Sequence, residues 1–329
     1  MNKVPVAIFL FKRKETLERI FERIREYAPE KVYLIGDGPR NSEEEIEVLL
    51  AREHAESLID WQCDIIRNYT SENRGVYKNI GLGASWVLEK EDRAIFLEDD
   101  SLPEQSFFPF CEELLDKYKD EERIFWICGT NYLKNIDSKS DYVFTQHMLP
   151  CGWASWSEKF LKYYDGDLKN FSESNSAELR KCYPTKALFE QDVDNFRKTK
   201  RLLGNDIRKA SWDRQVAFSL RFYNLLGVSP SINQIRNIGV DNLSTHGGNS
   251  LDKTMTKRFC ELETGHIKFP LKHPDTIEID KTFESKTEKI ILLPFIDRLA
   301  MKFAFLVKPL FGISRDESLT LWLKDKMSR

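Results

Sequence analysis

Glu98, Asp99 and Asp100 are three carboxylates in a row, delivered by the apolar run Ala94-Ile95-Phe96-Leu97 and followed by the turn Ser101-Leu102-Pro103. A buried strand that ends in acidic side chains is where open α/β sheets place ligand chemistry. Like charges this close repel, so a fold keeps them together mainly when a cation lies among them. Oxygen donors on a turn suit a hard divalent cation, Mn²⁺ or Mg²⁺, that retains waters and takes further ligands from a substrate diphosphate. The plain alternative is a strand ending in a solvated acidic turn.

Three further segments could act with it. Asp37, in Ile35-Gly36-Asp37-Gly38, closes a second apolar run. There it suits a hydrogen bond to a nucleotide base or ribose, or it is a turn aspartate accepting from its own backbone. Ser211-Trp212-Asp213-Arg214 opens a helix marked by Val216, Phe218, Leu220 and Tyr223. Asp213 either complements the helix dipole or, beside the aromatic wall of Trp212, works as a general base facing a sugar hydroxyl. Finally, residues 228–248 combine Arg236, His246, glycines and hydroxyls. That makes a lid over phosphates or a surface loop. No nucleophile elbow or Walker loop is present.

The elements that must position these groups alternate. Residues 4–11 form an apolar run, Leu17, Ile20, Phe21 and Ile24 recur at helical spacing, and residues 32–35 form a second run closed by Gly36-Asp37-Gly38-Pro39. Ser42 with Glu45 reads as a capping box for a helix to about Leu58. A short strand at 64–67 and a helix at 78–88 lead into the acidic strand. Four strand–helix repeats in about a hundred residues predict right-handed βαβ units, hence an α/β fold with a Rossmann-like, mostly parallel sheet. The expected organisation is a domain over 1–274 (about 1–105 a donor half, 106–274 an acceptor half) and a helical tail over 275–329.

The formal net charge of −3 gives no case for a nucleic-acid partner. Six cysteines are scattered with no C-x-x-C pair, which predicts reduced thiols and a cytoplasmic protein rather than a disulfide framework or zinc cage. In the tail, Asp297, Arg298 and Lys302 share one side of a helical wheel and leave Phe295, Ile296, Leu299, Phe303 and Leu306 for the other. This is either a peripheral docking helix at the inner face of a membrane or a helix packed on protein. The apolar runs are too short to span a bilayer.

Read in order, these segments resemble the GT-A glycosyltransferases. Within them they are most similar to the metal-dependent inverting group typified by eukaryotic N-acetylglucosaminyltransferase I and its bacterial relatives. The resemblance is carried by residues 8–13 ending in Arg13, by Ile35-Gly36-Asp37 and by Tyr77-Lys78. It continues through Phe96-Leu97-Glu98-Asp99-Asp100 with Phe107-Phe108, Leu149-Pro150-Cys151-Gly152-Trp153, Trp212-Asp213, and Asn237-Ile238-Gly239 leading to Thr245-His246-Gly247. It spans roughly residues 4–250; the tail after about residue 275 has no counterpart.

The resemblance implies roles. Asp100 would be the direct ligand of the metal; Glu98 and Asp99 would face the ribose, the donor sugar and metal-bound water. Arg13 and Asp37 would hold the base, with Lys78 also on the donor side. Asp213 would deprotonate the acceptor, Trp153 and Trp212 would wall the acceptor site, and Arg236 and the loop to His246 would close over the diphosphate. Lys12 departs from the pattern, which has an acidic residue before Arg13. The function implied is transfer, with inversion, of a sugar from a nucleotide-diphosphate donor of UDP type to a hydroxyl of a glycan or lipid-linked glycan, in bacterial surface-polysaccharide synthesis. Two alternatives remain: a non-catalytic module that binds sugar nucleotides or acts as a scaffold, and a sugar-nucleotide pyrophosphorylase. The latter would carry a glycine-rich loop where this chain has Lys12-Arg13-Lys14-Glu15.

Overall fold

In the computed structural model, residues 3–240, 254–313 and 322 are described. The four expected runs become strands β1 (Val6–Leu10), β2 (Lys31–Gly36), β3 (Asp64–Tyr69) and β4 (Arg93–Glu98). Six more follow: β5 (Ser101–Pro103) where the sequence reads as a turn, β6 (Ile124–Cys128), β7 (Tyr142–Thr145), β8 (Trp153–Trp156), β9 (Leu226–Pro230) and β10 (Ile235–Asn237). Eight of them form one sheet in the order β3-β2-β1-β4-β8-β6-β9-β7, and β5 pairs with β10 in a second. The protein is therefore α/β, as expected.

The parallel character is confined to part of the sheet. β3, β2, β1 and β4 run parallel, and β6 is parallel to β9. β8, however, lies antiparallel between β4 and β6, and β7 is antiparallel at the edge. The inserted β8 matters because its first residue, Trp153, stands opposite Phe96 of the acidic strand.

Helix Leu17–Tyr27 buries Leu17, Ile20, Phe21 and Ile24, the set picked out by helical spacing. Helix Ser42–Ser57 starts at the expected place with a different cap: the Asn41 side chain accepts from the Glu44 amide. Ser42 is already inside the first turn, so the Ser42/Glu45 capping box does not form. The helix read at 78–88 begins with a wide turn, Tyr77–Leu82, whose hydrogen bonds skip one residue further than in an α-helix, before Gly83–Leu88 continues normally.

The chain divides into Met1–Thr287 and Glu288–Arg329. The division lies beyond the expected 274/275 boundary because residues 275–287 belong to the first unit. Phe283 and Glu284 there are buried, and Glu284 accepts hydrogen bonds from the Gln146 amide at 2.5 Å and the Thr145 hydroxyl at 3.0 Å. The second unit contains helix Phe295–Val307. No described helix is long and apolar enough to cross a membrane.

Candidate functional site

The acidic turn sits at the carboxyl end of β4, beside the ends of β1 and β2, because the register aligns Phe9 with Glu98 and Leu10 with Gly36. Its three carboxylates do different things. Asp99 turns inward: Oδ2 accepts from the Phe11 amide at 3.0 Å, Oδ1 accepts from the Arg13 guanidinium at 3.1 Å, and its carbonyl accepts from the Thr16 hydroxyl. It therefore staples the β1 exit to the β4 exit. Arg13 also reaches Asp100 Oδ2 at 3.2 Å, so one guanidinium offsets two carboxylates.

Asp100 is seated between backbone segments. Its carbonyl accepts from the Ile238 amide at 2.8 Å, and β10 pairs with β5 so that Asn237 stands opposite Ser101. A Cβ built on Gly239 would lie 2.4 Å from Asp100 Oδ2. Only a glycine lets the backbone approach the carboxylate this closely.

Burial and crowding raise the proton affinity of Glu98 and Asp99. Glu98 is pushed well above the usual carboxylate range by burial and then by the charges of Asp100, Asp99 and Asp213, which outweigh Arg13. Asp99 rises to about 7, through burial first, with Arg13 opposing and Asp100 adding to it. Such a cluster is relieved by a cation.

Asp213 reaches this region through a column of stacked rings. Phe96 stacks on Trp153 at 4.0 Å between centroids, Trp153 on Trp126 at 4.2 Å and on Trp212 at 5.8 Å. Trp212 immediately precedes helix Asp213–Phe222, so the column sets where Asp213, first residue of that helix, projects. The Ser211 hydroxyl donates to Asp213 Oδ1, and Arg214 Nε lies 3.6 Å from Oδ2. Roughly a hundred residues of sequence separate Asp213 from Glu98, yet the two are close enough for the aspartate to raise the glutamate's proton affinity.

The same column buries Trp153 and Trp212, the residues expected to wall the acceptor site. Trp153 is 1% exposed and Trp212 4%. Their faces are covered by neighbouring rings, so both are packing for the site rather than its surface.

Asp37 is also committed. It accepts from the Gly38 and Arg74 amides at 3.0 and 2.8 Å through Oδ1, and from the Asn73 side-chain amide and the Gly75 amide at 2.9 and 3.0 Å through Oδ2. Four donors fill the carboxylate's acceptor positions. The turn aspartate anticipated from sequence is thus satisfied mainly by a distant loop, and the base contact expected of it is not open in this arrangement. Burial raises its proton affinity, and the Arg74, Gly75 and Gly38 amides oppose this.

Asn73, Arg74 and Gly75 are the residues that sequence reasoning left unassigned. Gly75 has φ +80°, and a Cβ on it would lie 2.4 Å from the Arg208 carbonyl oxygen. The loop held by Asp37 therefore abuts the segment leading to Asp213. A glycine after Asn73-Arg74 between a strand and a helix was the available signal. Lys78 is half-buried on the wide turn, and its side chain makes no hydrogen bond or ion pair among the described residues. Arg236 is exposed and bound to Glu261 at 2.5 Å. His246 lies outside the described residues.

Among the described residues no three His, Cys, Asp or Glu side chains form a metal-ligand group. The donors available, Asp100 and Glu98, are oxygens only. That small set fits a hard divalent cation that keeps waters and completes its shell from a diphosphate, and it does not fit an all-protein cage.

Compared by sequence, the chain matches no protein-family model and no curated protein. Compared by structure, it is similar to a UDP-glucose pyrophosphorylase complexed with UDP-glucose (TM-score 0.36, 9% identity, 73% of this chain and 94% of that one). It is also similar to mouse xyloside xylosyltransferase 1 in its apo form (0.33, 9%, 67% and 82%). A third is the glycosyltransferase GlyE of Streptococcus pneumoniae (0.25, 10%, 74% and 58%). At TM-scores of this size the likeness assigns neither a family nor an activity to this chain.

Proposed function

We propose that the protein is a metal-dependent, inverting glycosyltransferase that uses a nucleotide-diphosphate sugar of UDP type and a glycan hydroxyl as acceptor, in bacterial surface-polysaccharide synthesis. The observation that carries this reading is that the ring column Phe96-Trp153-Trp212 runs from the acidic strand to the residue before Asp213, which lies near enough to Glu98 for its charge to act on it. One carboxylate near, but separate from, an acidic turn supplies a base and a cation site with distinct duties.

In this reading Asp213 takes the proton of the acceptor hydroxyl. The freed oxygen forms a bond to the anomeric carbon from the face opposite the diphosphate, and the bond from that carbon to the phosphate oxygen breaks with inversion. Asp100, with Glu98 beside it, would hold the cation, which when bound would neutralise the charge left on the diphosphate. Asp99 and Arg13 keep the turn in place; Arg236 reaches a phosphate only by leaving Glu261. A single base without a paired acid suits a leaving group that departs as an anion.

The test separates chemistry from binding. Asp213→Asn is expected to lower turnover roughly a hundredfold or more while donor affinity, read by calorimetry with Mn²⁺, stays within about twofold. Near-normal turnover in that variant would remove the base assignment. A pyrophosphorylase would instead release diphosphate from a nucleoside triphosphate and a sugar phosphate, and a binding module would hold donor with no acceptor-dependent release of nucleotide.

A further inference from the structure

The second unit carries a feature the enzymatic reading does not use. Phe295, Ile296, Leu299, Phe303, Leu306 and Leu310 are all exposed, with Ile296 at 77%, Leu306 at 74% and Leu310 at 80%. At 3.6 residues per turn these positions fall within an arc of about 100°, a continuous stripe along helix Phe295–Val307 and the turn after it. An exposed apolar stripe of this length is costly in water and marks a contact surface.

Charge decides what covers it. Residues 288–329 hold eight Lys and Arg against five Asp and Glu, so within a chain of net charge −3 the remainder carries −6. The positive excess is therefore confined to the segment with the apolar stripe. Positions 298 and 302, an Arg and a Lys one turn apart, border the stripe on one side. The Arg298 guanidinium lies 5.9 Å from the Phe295 ring centre. Basic residues at sequence positions bordering a stripe rich in Phe and Leu match the boundary between acyl chains and anionic headgroups. A protein–protein interface would deplete lysine there.

We propose that residues 295–311 lie in the surface of an anionic lipid bilayer, stripe down, as an interfacial helix. The proposal does not rest on the glycosyltransferase reading.

The experiment is co-sedimentation of the full chain with phosphatidylcholine vesicles, with and without about one-third phosphatidylglycerol. Each basic residue near such a surface strengthens binding by roughly fivefold. The wild-type chain is expected to partition at least tenfold more onto the anionic vesicles, and to lose most of that preference on raising the salt to about 1 M. Leu299→Glu/Phe303→Glu should abolish partition with an unchanged melting temperature, because both side chains are exposed. Arg298→Glu/Lys302→Glu, which leaves the stripe intact, should remove the anionic preference. The proposal is overturned if partition is the same with and without phosphatidylglycerol, or if the stripe variant still binds. It is also overturned if the wild-type chain does not bind vesicles and instead forms a dimer, by light scattering, that the stripe variant dissolves.

Discussion

Gly239 and Asp100 are in backbone-to-carboxylate contact: a methyl group on the glycine would stand 2.4 Å from Oδ2 and 2.9 Å from Cβ of the aspartate. Since Asp100 also accepts the Ile238 amide through its carbonyl, the aspartate cannot yield to a new methyl without disturbing the β5–β10 pairing. Gly239→Ala is expected to weaken metal-dependent donor binding by about tenfold or more, the cost of a small misplacement at a reacting centre. Melting should shift by only a few degrees. Calorimetry with a UDP-sugar and Mn²⁺, beside a melting curve, checks both halves.

Asp37 is expected to matter more for the fold than for direct contact with a ligand. Asp37→Ala leaves the half-buried amide of Arg74 and the buried amide of Gly75 without their acceptor, a loss of about 2–3 kcal/mol, read from urea unfolding midpoints. Asp37→Asn, which keeps one acceptor oxygen, should recover part of that stability. If either variant instead lost only donor affinity at full stability, the loop-anchoring role would be wrong.

Much of this arrangement was legible in the chain. The acidic strand and the partition of residues 4–100 into strands and helices follow from runs of apolar residues and their periodicity, whereas the candidate role of Asp213 comes from the resemblance. What periodicity cannot reveal is direction and partnership over long separations. Nothing in the four-residue run at Trp153 says that it enters antiparallel between β4 and β6, and that insertion is what buries Trp153. Nor does the sequence around Asp37 disclose that its acceptors are filled by residues 73–75. A carboxylate with a free face and one with a full set of donors look identical in a sequence.

Trp153 tests that correction. Trp153→Ala should cost about 3–5 kcal/mol, the usual penalty for deleting a buried aromatic. Trp153→Phe, which keeps a ring between Phe96 and Trp126, should cost far less and leave the acceptor KM within about twofold. A large rise in acceptor KM for the phenylalanine variant, at near-normal stability, would return Trp153 to the binding surface.

Gly75 links the Asp37 loop to the segment before Asp213. Its φ of +80° is left-handed and a Cβ would meet the Arg208 carbonyl at 2.4 Å. Gly75→Ala therefore combines backbone strain with a clash that has no flexible side chain to absorb it, at roughly 1–3 kcal/mol. Because the displaced segment carries Trp212 and Asp213, kcat should fall by more than donor affinity does. Equal losses in both would mean that the loop serves the donor side alone.

The acid limit of stability should trace to Glu284. Burial alone would raise its carboxyl, but the hydrogen bond and charge of His147 and the charge of Arg221 outweigh it and hold the group at about 2, against 4.5 for the free side chain. His147 Nε2 lies 2.6 Å from Glu284 Oε2, and Arg221 lies 3.5 Å from the same oxygen. A depressed pKa means that the unfolded chain binds the proton first. The stabilisation is therefore complete above about pH 4.5 and is lost as the pH falls toward about 2. Its size is about 3 kcal/mol from the shift. Glu284→Gln is expected to be less stable than wild type by about that amount at pH 7 in urea unfolding, and the gap should narrow steadily below pH 4.5. A gap that stays constant down to the acid limit would show that Glu284 stabilises the fold through neutral hydrogen bonds and not through its charge.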